Sequence, residues 1–180
     1  MMETLFDIDT VPTKTDAADR SEWYTPTEVV EPGRIVMGGI DLDPASCYFA
    51  NRIIKAGTYY NRDLDGLHRQ WYGRVWCNPP YSDYPGQAAH WAEKFLKEYQ
   101  IGNMLQGILL VNLDQFNQES LQQVARRGLA CVYRGRVRFY DPTGNQPTSP
   151  RHNNIFLYLG DNGNSFTSEY GKLGIVMGAL

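Results

Sequence analysis

Short apolar runs alternate with amphipathic segments along most of this chain. Residues 107–112 form a near-continuous apolar run, which is typical of a central strand in a parallel sheet. Residues 88–99 repeat apolar side chains at the i, i+3, i+4 spacing of an amphipathic helix that packs on a sheet. The alternation predicts an α/β fold with a mostly parallel central sheet flanked by helices. Further strands are predicted at 38–43, 55–60, 75–77, 129–133 and 155–160, and further helices at 27–30, 45–54 and 115–126.

The ends of the chain differ from its middle. Residues 1–20 are polar and show no periodicity, so we expect a mobile tail there. Residues 21–180 are expected to form a single domain, because this length suffices to bury one core. Thr27 is placed to cap a short helix that Pro32 and Gly33 should end. Residues 161–180 are expected to form an edge hairpin or a dimer contact.

Composition and charge describe an ordinary soluble protein. Hydrophobic residues make up 42% of the sequence and charged residues 21%, and no apolar run is long enough to predict a membrane helix. Three cysteines, an odd number without metal-ligand spacing, predict reduced thiols, a cytoplasmic location and no bound metal. With a net charge of −3, any surface that binds nucleic acid has to be local.

A strand that ends in two prolines carries the strongest chemical signal. The strand at 75–77 has to stop at Pro79 and Pro80, because proline cannot donate to a strand ladder and fixes its own φ. The loop therefore begins at the carboxyl end of the strand, where open α/β sheets place their sites. The Asn78 amide oxygen and the Pro79 carbonyl can accept both hydrogens of an amino group, while the Tyr81 ring can stack on a flat base. The loop is predicted to bind a planar group that carries an NH2.

This Asn-Pro-Pro-Tyr sequence at 78–81 resembles the catalytic signature of amino-group methyltransferases. The segments at 22–26 (Glu-Trp-Tyr-Thr-Pro), 40–46 (Ile-Asp-Leu-Asp-Pro-Ala-Ser) and 65–67 (Asp-Gly-Leu) resemble the small phage-type (Dam-like) DNA N6-adenine methyltransferases. The resemblance covers roughly residues 22–160. It implies a Rossmann-like class I methyltransferase fold. It also implies transfer of a methyl group from S-adenosylmethionine to N6 of adenine in double-stranded DNA, with S-adenosylhomocysteine as the product.

The resemblance implies catalytic roles for Asn78, Pro79, Pro80 and Tyr81. Hydrogen bonds from the target amine to Asn78 Oδ1 and to the Pro79 carbonyl would stabilise the positive charge that develops on the nitrogen. The base would have to leave the duplex, and Tyr81 would replace part of the lost stacking. This chemistry needs neither a metal ion nor a nucleophilic cysteine.

The resemblance also implies a binding site for the amino-acid part of the cofactor. The Tyr-Thr-Pro segment would hold the methionine moiety, with Thr25 meeting its carboxylate. An acid at the end of the first strand would meet the charged amino-acid moiety or the ribose. Asp43 before Pro44 is also a good helix N-cap, and both roles can hold at once. Where the wider methyltransferase pattern carries Gly-x-Gly, this chain has Ala-Ser at 45–46.

The polar edge of the adenosyl group is expected to meet an aspartate of the loop at 61–67. Asp65 is the candidate and Asp63 the alternative, and a solvated turn aspartate explains either residue as well. The full set predicted to bind the cofactor is Tyr24, Thr25, Pro26, Asp41, Asp43, Pro44, Ala45, Ser46, Asp63, Asp65 and Asn78.

The strongest local charge asymmetry lies late in the chain. Five arginines fall between residues 126 and 140 with no acid among them, although the protein as a whole is acidic. Arginine forks suit phosphate, and phosphate contacts dominate nucleic-acid affinity. A solvated charged face is the alternative, but the position after the catalytic motif favours DNA. The predicted DNA-binding residues are Arg126, Arg127, Arg134, Arg136, Arg138 and Arg151.

Other substrates share the same four-residue motif. Methyltransferases that act on RNA adenine, cytosine N4 or protein glutamine are alternatives, as is a non-catalytic nucleic-acid-binding module with this fold. The arginine cluster disfavours a protein substrate. We expect a monomer or weak dimer that reads a short or relaxed DNA sequence with the loops at 82–87 and 141–150.

Overall fold

The computed structural model describes residues 23–80 and 87–178, so the predicted tail at residues 1–20 lies outside the described residues. The strands are β1 (Leu42–Asp43), β2 (Thr58–Tyr59), β3 (Gly73–Cys77), β4 (Met104–Asn112), β5 (Leu129–Tyr133), β6 (Asn154–Leu159) and β7 (Gly174–Gly178). The helices are α1 (Thr27–Met37), α2 (Tyr48–Ile54), α3 (Gln87–Gln100), α4 (Glu119–Arg127) and α5 (Gly163–Tyr170), with a 3-10 helix at Leu113–Asn117. The predicted α/β class is confirmed.

All seven strands belong to one mixed sheet, in the order β2-β1-β3-β4-β6-β5-β7. The pairs β1–β2, β1–β3 and β3–β4 are parallel. The pairs β4–β6, β5–β6 and β5–β7 are antiparallel, so the prediction of a mostly parallel sheet is wrong for this half. The reason is that β6 is buried along its whole length, and a fully buried strand carries the same continuous apolar run in either direction.

Helices cover both faces of the sheet. Side chains alternate along β3, so Val75 and Cys77 join the core under α3 and α4, while Trp76 joins the core under α1 and α5. After β6, the chain forms α5 and then the outer strand β7 rather than an edge hairpin. Within residues 23–80 and 87–178, no helix is long and apolar enough to cross a membrane.

Helix α1 is longer than predicted, because it continues through Pro32 and Gly33 to Met37. Pro32 removes one helical hydrogen bond, but the helix buries a continuous apolar face (Val29, Val30, Val36 and Met37) against the sheet. Gly33 permits the close approach. A Cβ atom at this position would lie 3.1 Å from the Trp76 ring and 3.1 Å from the Tyr170 hydroxyl.

We expect the Gly33→Val substitution to lower the free energy of unfolding by about 1–3 kcal/mol, because the added carbons overpack the contact between α1 and the sheet. The free energy can be measured by urea denaturation. Ile35, which is 54% exposed on the same helix, provides the control: Ile35→Ala should change the free energy by less than about 0.5 kcal/mol. Equal effects of the two substitutions would contradict the close-approach explanation.

Candidate active site

A cavity of about 850 Å³ opens where the parallel strands end. Asp43 ends β1, Asn78 follows β3 and Asn112 ends β4, and all three line the cavity. The β3–β4 pairing aligns Cys77 with Leu109, so both strands reach the same edge of the sheet. Much of the remaining wall comes from loops at this end of the sheet, within residues 23–25, 44–47, 60–67 and 147–152, and helices α2 and α3 also contribute.

Asn78 occupies the position that the motif predicts. The alternation along β3 turns its side chain toward α1, where Asn78 Nδ2 donates a hydrogen bond to Thr25 Oγ1 at 3.2 Å. Pro79 is buried and Pro80 exposed, and both line the cavity. Tyr81, the fourth residue of the motif, lies outside the described residues. The structure therefore brings the two predicted segments, 24–26 and 78–80, together.

A two-residue bridge to a distant segment holds Thr25 in place. Tyr24 N donates to the Tyr140 carbonyl at 2.8 Å, and Tyr140 N donates to the Tyr24 carbonyl at 2.9 Å. Thr25 is 3% exposed and lines the cavity. Pro26 is not among the lining residues, and its carbonyl accepts a hydrogen bond from Val29 N at 3.0 Å at the start of α1.

Asp43 is a buried carboxyl group on the cavity wall. Its side chain is nearly inaccessible, and its Oδ1 accepts a hydrogen bond from Ala45 N at 3.1 Å. Burial raises the pKa of Asp43 to about 7. The predicted helix-capping role of Asp43 is wrong, because α2 begins at Tyr48 and Cys47 is its N-cap. The Asp43 carboxyl instead closes the turn that carries Pro44, Ala45 and Ser46 into the wall.

The loop after β2 places one of its two aspartates on the cavity. Asp65 lines it with a positive φ of 50°, and its carboxylate accepts from Leu67 N at 3.2 Å and lies 2.7 Å from His68 Nδ1. Asp63 is exposed and outside the lining residues. Gly66 packs so tightly on the Pro44 backbone that a Cβ atom would clash with it. The Asp-Gly-Leu segment is thus a built part of the wall.

Asp41, one of the predicted cofactor-binding residues, forms an ion pair with Arg74. It lies outside the cavity lining, and Arg74 at the start of β3 donates to both of its carboxylate oxygens, at 2.8 Å and 2.6 Å. This pairing lowers the pKa of Asp41. Asp41 therefore ties the amino ends of β1 and β3 together, away from the carboxyl ends that form the site.

The predicted arginines do not form one cluster, because they lie at opposite ends of β5. Arg126 and Arg127 end α4 and precede β5, whereas Arg134 follows β5, so the whole strand separates them. Beyond β5, two arginines hold the loop over the cavity by its carbonyls. Arg136 Nη1 donates to Pro150 at 3.0 Å and Arg138 Nη2 donates to Thr148 at 3.4 Å. Arg151 lines the cavity itself.

Two cavity-lining residues on α3 were missed by the sequence analysis. Gln87 Oε1 and Trp91 Nε1 are buried, and neither has a hydrogen-bond partner among the described residues. Buried polar atoms in native proteins are nearly always paired, so the cavity wall fits a polar ligand. The signal in the sequence was the tryptophan on the apolar stripe, which the helical spacing alone assigns to the core. No group of three or more His, Cys, Asp or Glu residues in the described ranges is placed to hold a metal ion.

An α/β sheet with a largely apolar cavity at the carboxyl ends of its parallel strands, lined by a few polar side chains and by an Asn-Pro-Pro loop, defines a small-ligand-binding domain of the kind found in many enzymes. The family model described as DNA N-6-adenine-methyltransferase (Dam) matches residues 12–173. The chain belongs to this family, and the resemblance inferred from the motifs is confirmed. No curated protein sequence matches the chain.

The raised pKa of Asp43 makes stability depend on pH. Because its folded-state pKa of about 7 exceeds the ordinary value of 3.8, the carboxyl group stabilises the fold fully only below about pH 4, and this contribution is lost as the pH rises toward 7. We expect Asp43→Asn to remove this loss, so the variant gains about 1–4 kcal/mol relative to the wild type between pH 4 and pH 8. Urea denaturation across this range measures the gain. The exposed Asp63→Asn is the control, and parallel curves for Asp43→Asn and the wild type would contradict the burial effect.

Proposed function

We propose that this protein transfers a methyl group from S-adenosylmethionine to N6 of an adenine flipped out of double-stranded DNA. The observation that carries the proposal is the Asn-Pro-Pro loop at the carboxyl end of β3, with the Asn78 amide fixed by Thr25 inside the cavity. Family membership supports the reaction and the substrate class. The parallel half of the sheet, β2-β1-β3-β4, supports a Rossmann-like class I methyltransferase fold.

The chain's own residues position and stabilise the amine. Because Asn78 Nδ2 donates to Thr25, the amide group is held in position, and its Oδ1 is proposed to accept an N–H of the target amine. The Pro79 carbonyl is proposed as the second acceptor and the Tyr81 ring as the stacking surface. Acceptors fixed in advance stabilise the positive charge that develops on the nitrogen without reorganising during the reaction.

The same cavity offers groups for the cofactor. Thr25 and the turn closed by Asp43 would hold its amino-acid part, and the wall that contains Asp65 would hold its adenosyl part. When bound, S-adenosylmethionine supplies a methyl group on a positively charged sulfur, so the protein need not provide a nucleophile. The orphaned polar atoms of α3 and the volume of the cavity fit a ligand of this kind.

We expect Asn78→Ala to lower methylation of duplex DNA by at least about 100-fold, because one fixed acceptor is lost from the charged transition state. Nucleoside mass spectrometry of unmethylated DNA incubated with the purified protein measures N6-methyladenine. Calorimetric titration with S-adenosylhomocysteine serves as the control and should show nearly unchanged affinity. Methylation by Asn78→Ala at the wild-type rate would contradict the proposed role of Asn78. N4-methylcytosine, or label on RNA or protein, would keep the loop chemistry and change the substrate.

We further propose that Arg134 and Arg151 contact DNA phosphates, whereas Arg136 and Arg138 position the loop that reads the DNA. Arg134 and Arg151 are exposed at the edge of the sheet that carries the cavity. The loop at 147–152 lies on the cavity wall, where it can meet bases beside the target. Such a small reading surface supports a short or relaxed recognition sequence.

Arginines at the two ends of β5 can be compared to test this arrangement. Each of Arg134→Gln and Arg151→Gln should lower the slope of log Kd against log salt concentration by about 0.9, because each removes one phosphate contact. Arg127→Gln on the opposite edge is the matched control and should leave the slope unchanged. The slope is measured by fluorescence anisotropy with a labelled duplex. An effect of Arg127→Gln as large as that of Arg151→Gln would overturn the placement of DNA on the cavity edge.

A further inference from the structure

Two residues of α3 that line the cavity each carry a buried polar atom without a hydrogen-bond partner among the described residues. Gln87 Oε1 is an acceptor and Trp91 Nε1–H is a donor; both atoms are buried, and neither has a hydrogen-bond partner in residues 23–80 and 87–178. The two residues are four positions apart on one helix, so their side chains are neighbours on the same face. The same stretch of α3 therefore brings an unpaired acceptor and an unpaired donor to the cavity wall.

The position of the donor is fixed by packing. Trp91 is 5% exposed, and its ring lies 5.9 Å from the ring of Trp71, centroid to centroid, with 32° between the planes. Trp71 is itself held by a hydrogen bond from its Nε1 to the Gly66 carbonyl at 2.7 Å. Since Gly66 also lines the cavity, Trp91 and the loop after β2 form one continuous part of the wall, joined through Trp71.

This wall lies on the opposite face of the sheet from the proposed reaction site. Asn78 turns toward α1 and Thr25, whereas α3 packs on the other face together with Tyr60 and Leu67. A ligand whose reactive group lies near Asn78 can therefore extend across the sheet edge to the pair on α3.

We propose that Gln87 and Trp91 recognise the adenine ring of the cofactor by its Watson–Crick edge, an inference that rests on the proposed use of S-adenosylmethionine. The N6–H of adenine would donate to Gln87 Oε1, and Trp91 Nε1–H would donate to adenine N1. A 6-oxo purine reverses this pattern, because it presents an acceptor at position 6 and an N–H at position 1. Sites built to pair with a polar group discriminate strongly against ligands that leave their buried atoms unpaired.

The test compares the affinities for S-adenosylhomocysteine and its 6-oxo analogue S-inosylhomocysteine, by calorimetric titration of the full chain without DNA. The wild type should prefer the adenine ligand by about tenfold or more. Trp91→Phe keeps the ring and removes the donor, and Gln87→Leu removes the acceptor. Each should reduce the preference several-fold, and the double variant should nearly abolish it. Thermal unfolding verifies that the variants fold. If Trp91→Phe does not fold, the test depends on Gln87→Leu, which changes a residue at the start of the helix.

Trp76→Phe is the matched control. Trp76 Nε1 is also buried and unpartnered among the described residues, but it lies outside the cavity lining, so the preference should stay as in the wild type. An unchanged preference in both α3 variants would overturn the inference and leave the proposed function standing. Preferences that change only when a duplex with the target adenine is present would assign the pair to the flipped base instead. A wild-type protein that binds neither ligand would overturn the cofactor proposal and this inference together.

Discussion

The hydrogen bond from Asn78 Nδ2 to Thr25 Oγ1 joins two segments that are 53 positions apart in the sequence. Thr25 keeps its position because the Tyr24–Tyr140 bridge fixes one end of its segment and α1 fixes the other. Helix α1 in turn reaches the sheet closely only because Gly33 has no side chain. The geometry of the Asn-Pro-Pro loop thus depends on packing contacts far from the loop itself.

Aspartates at the two ends of the parallel strands have different surroundings. At the amino ends of the parallel strands, Asp41 and Arg74 satisfy each other. At the carboxyl ends, Asp43 is buried and has no basic hydrogen-bond partner within residues 23–80 and 87–178, and its pKa is raised because burial disfavours the charged form. A carboxyl group poised in this way can gain a negative charge when a cationic ligand arrives.

The arginines show why a run of charge in sequence is weak evidence for one binding surface. Strand β5 is five residues long, so the arginines before it and the arginines after it lie at opposite ends of the strand. Arg136 and Arg138 donate hydrogen bonds to carbonyls of the loop at 147–152 and so hold this loop beside the cavity. The different roles of these arginines can be inferred only from their hydrogen-bond partners in the folded structure.

The sequence by itself determined the local features: the α/β class, the strand that stops at Pro79 and Pro80, the buried helical stripe of α3 and the family. Each of these depends on periodicity, proline chemistry or a contiguous motif, which neighbouring residues specify. The tertiary structure decided the direction of β6, the passage of α1 through Pro32, the different partners of Asp41 and Asp43, and the position of Gln87 and Trp91 on the cavity wall. These properties arise from contacts between distant segments, because a buried apolar run or a lone acid reads the same in sequence whichever partner it meets.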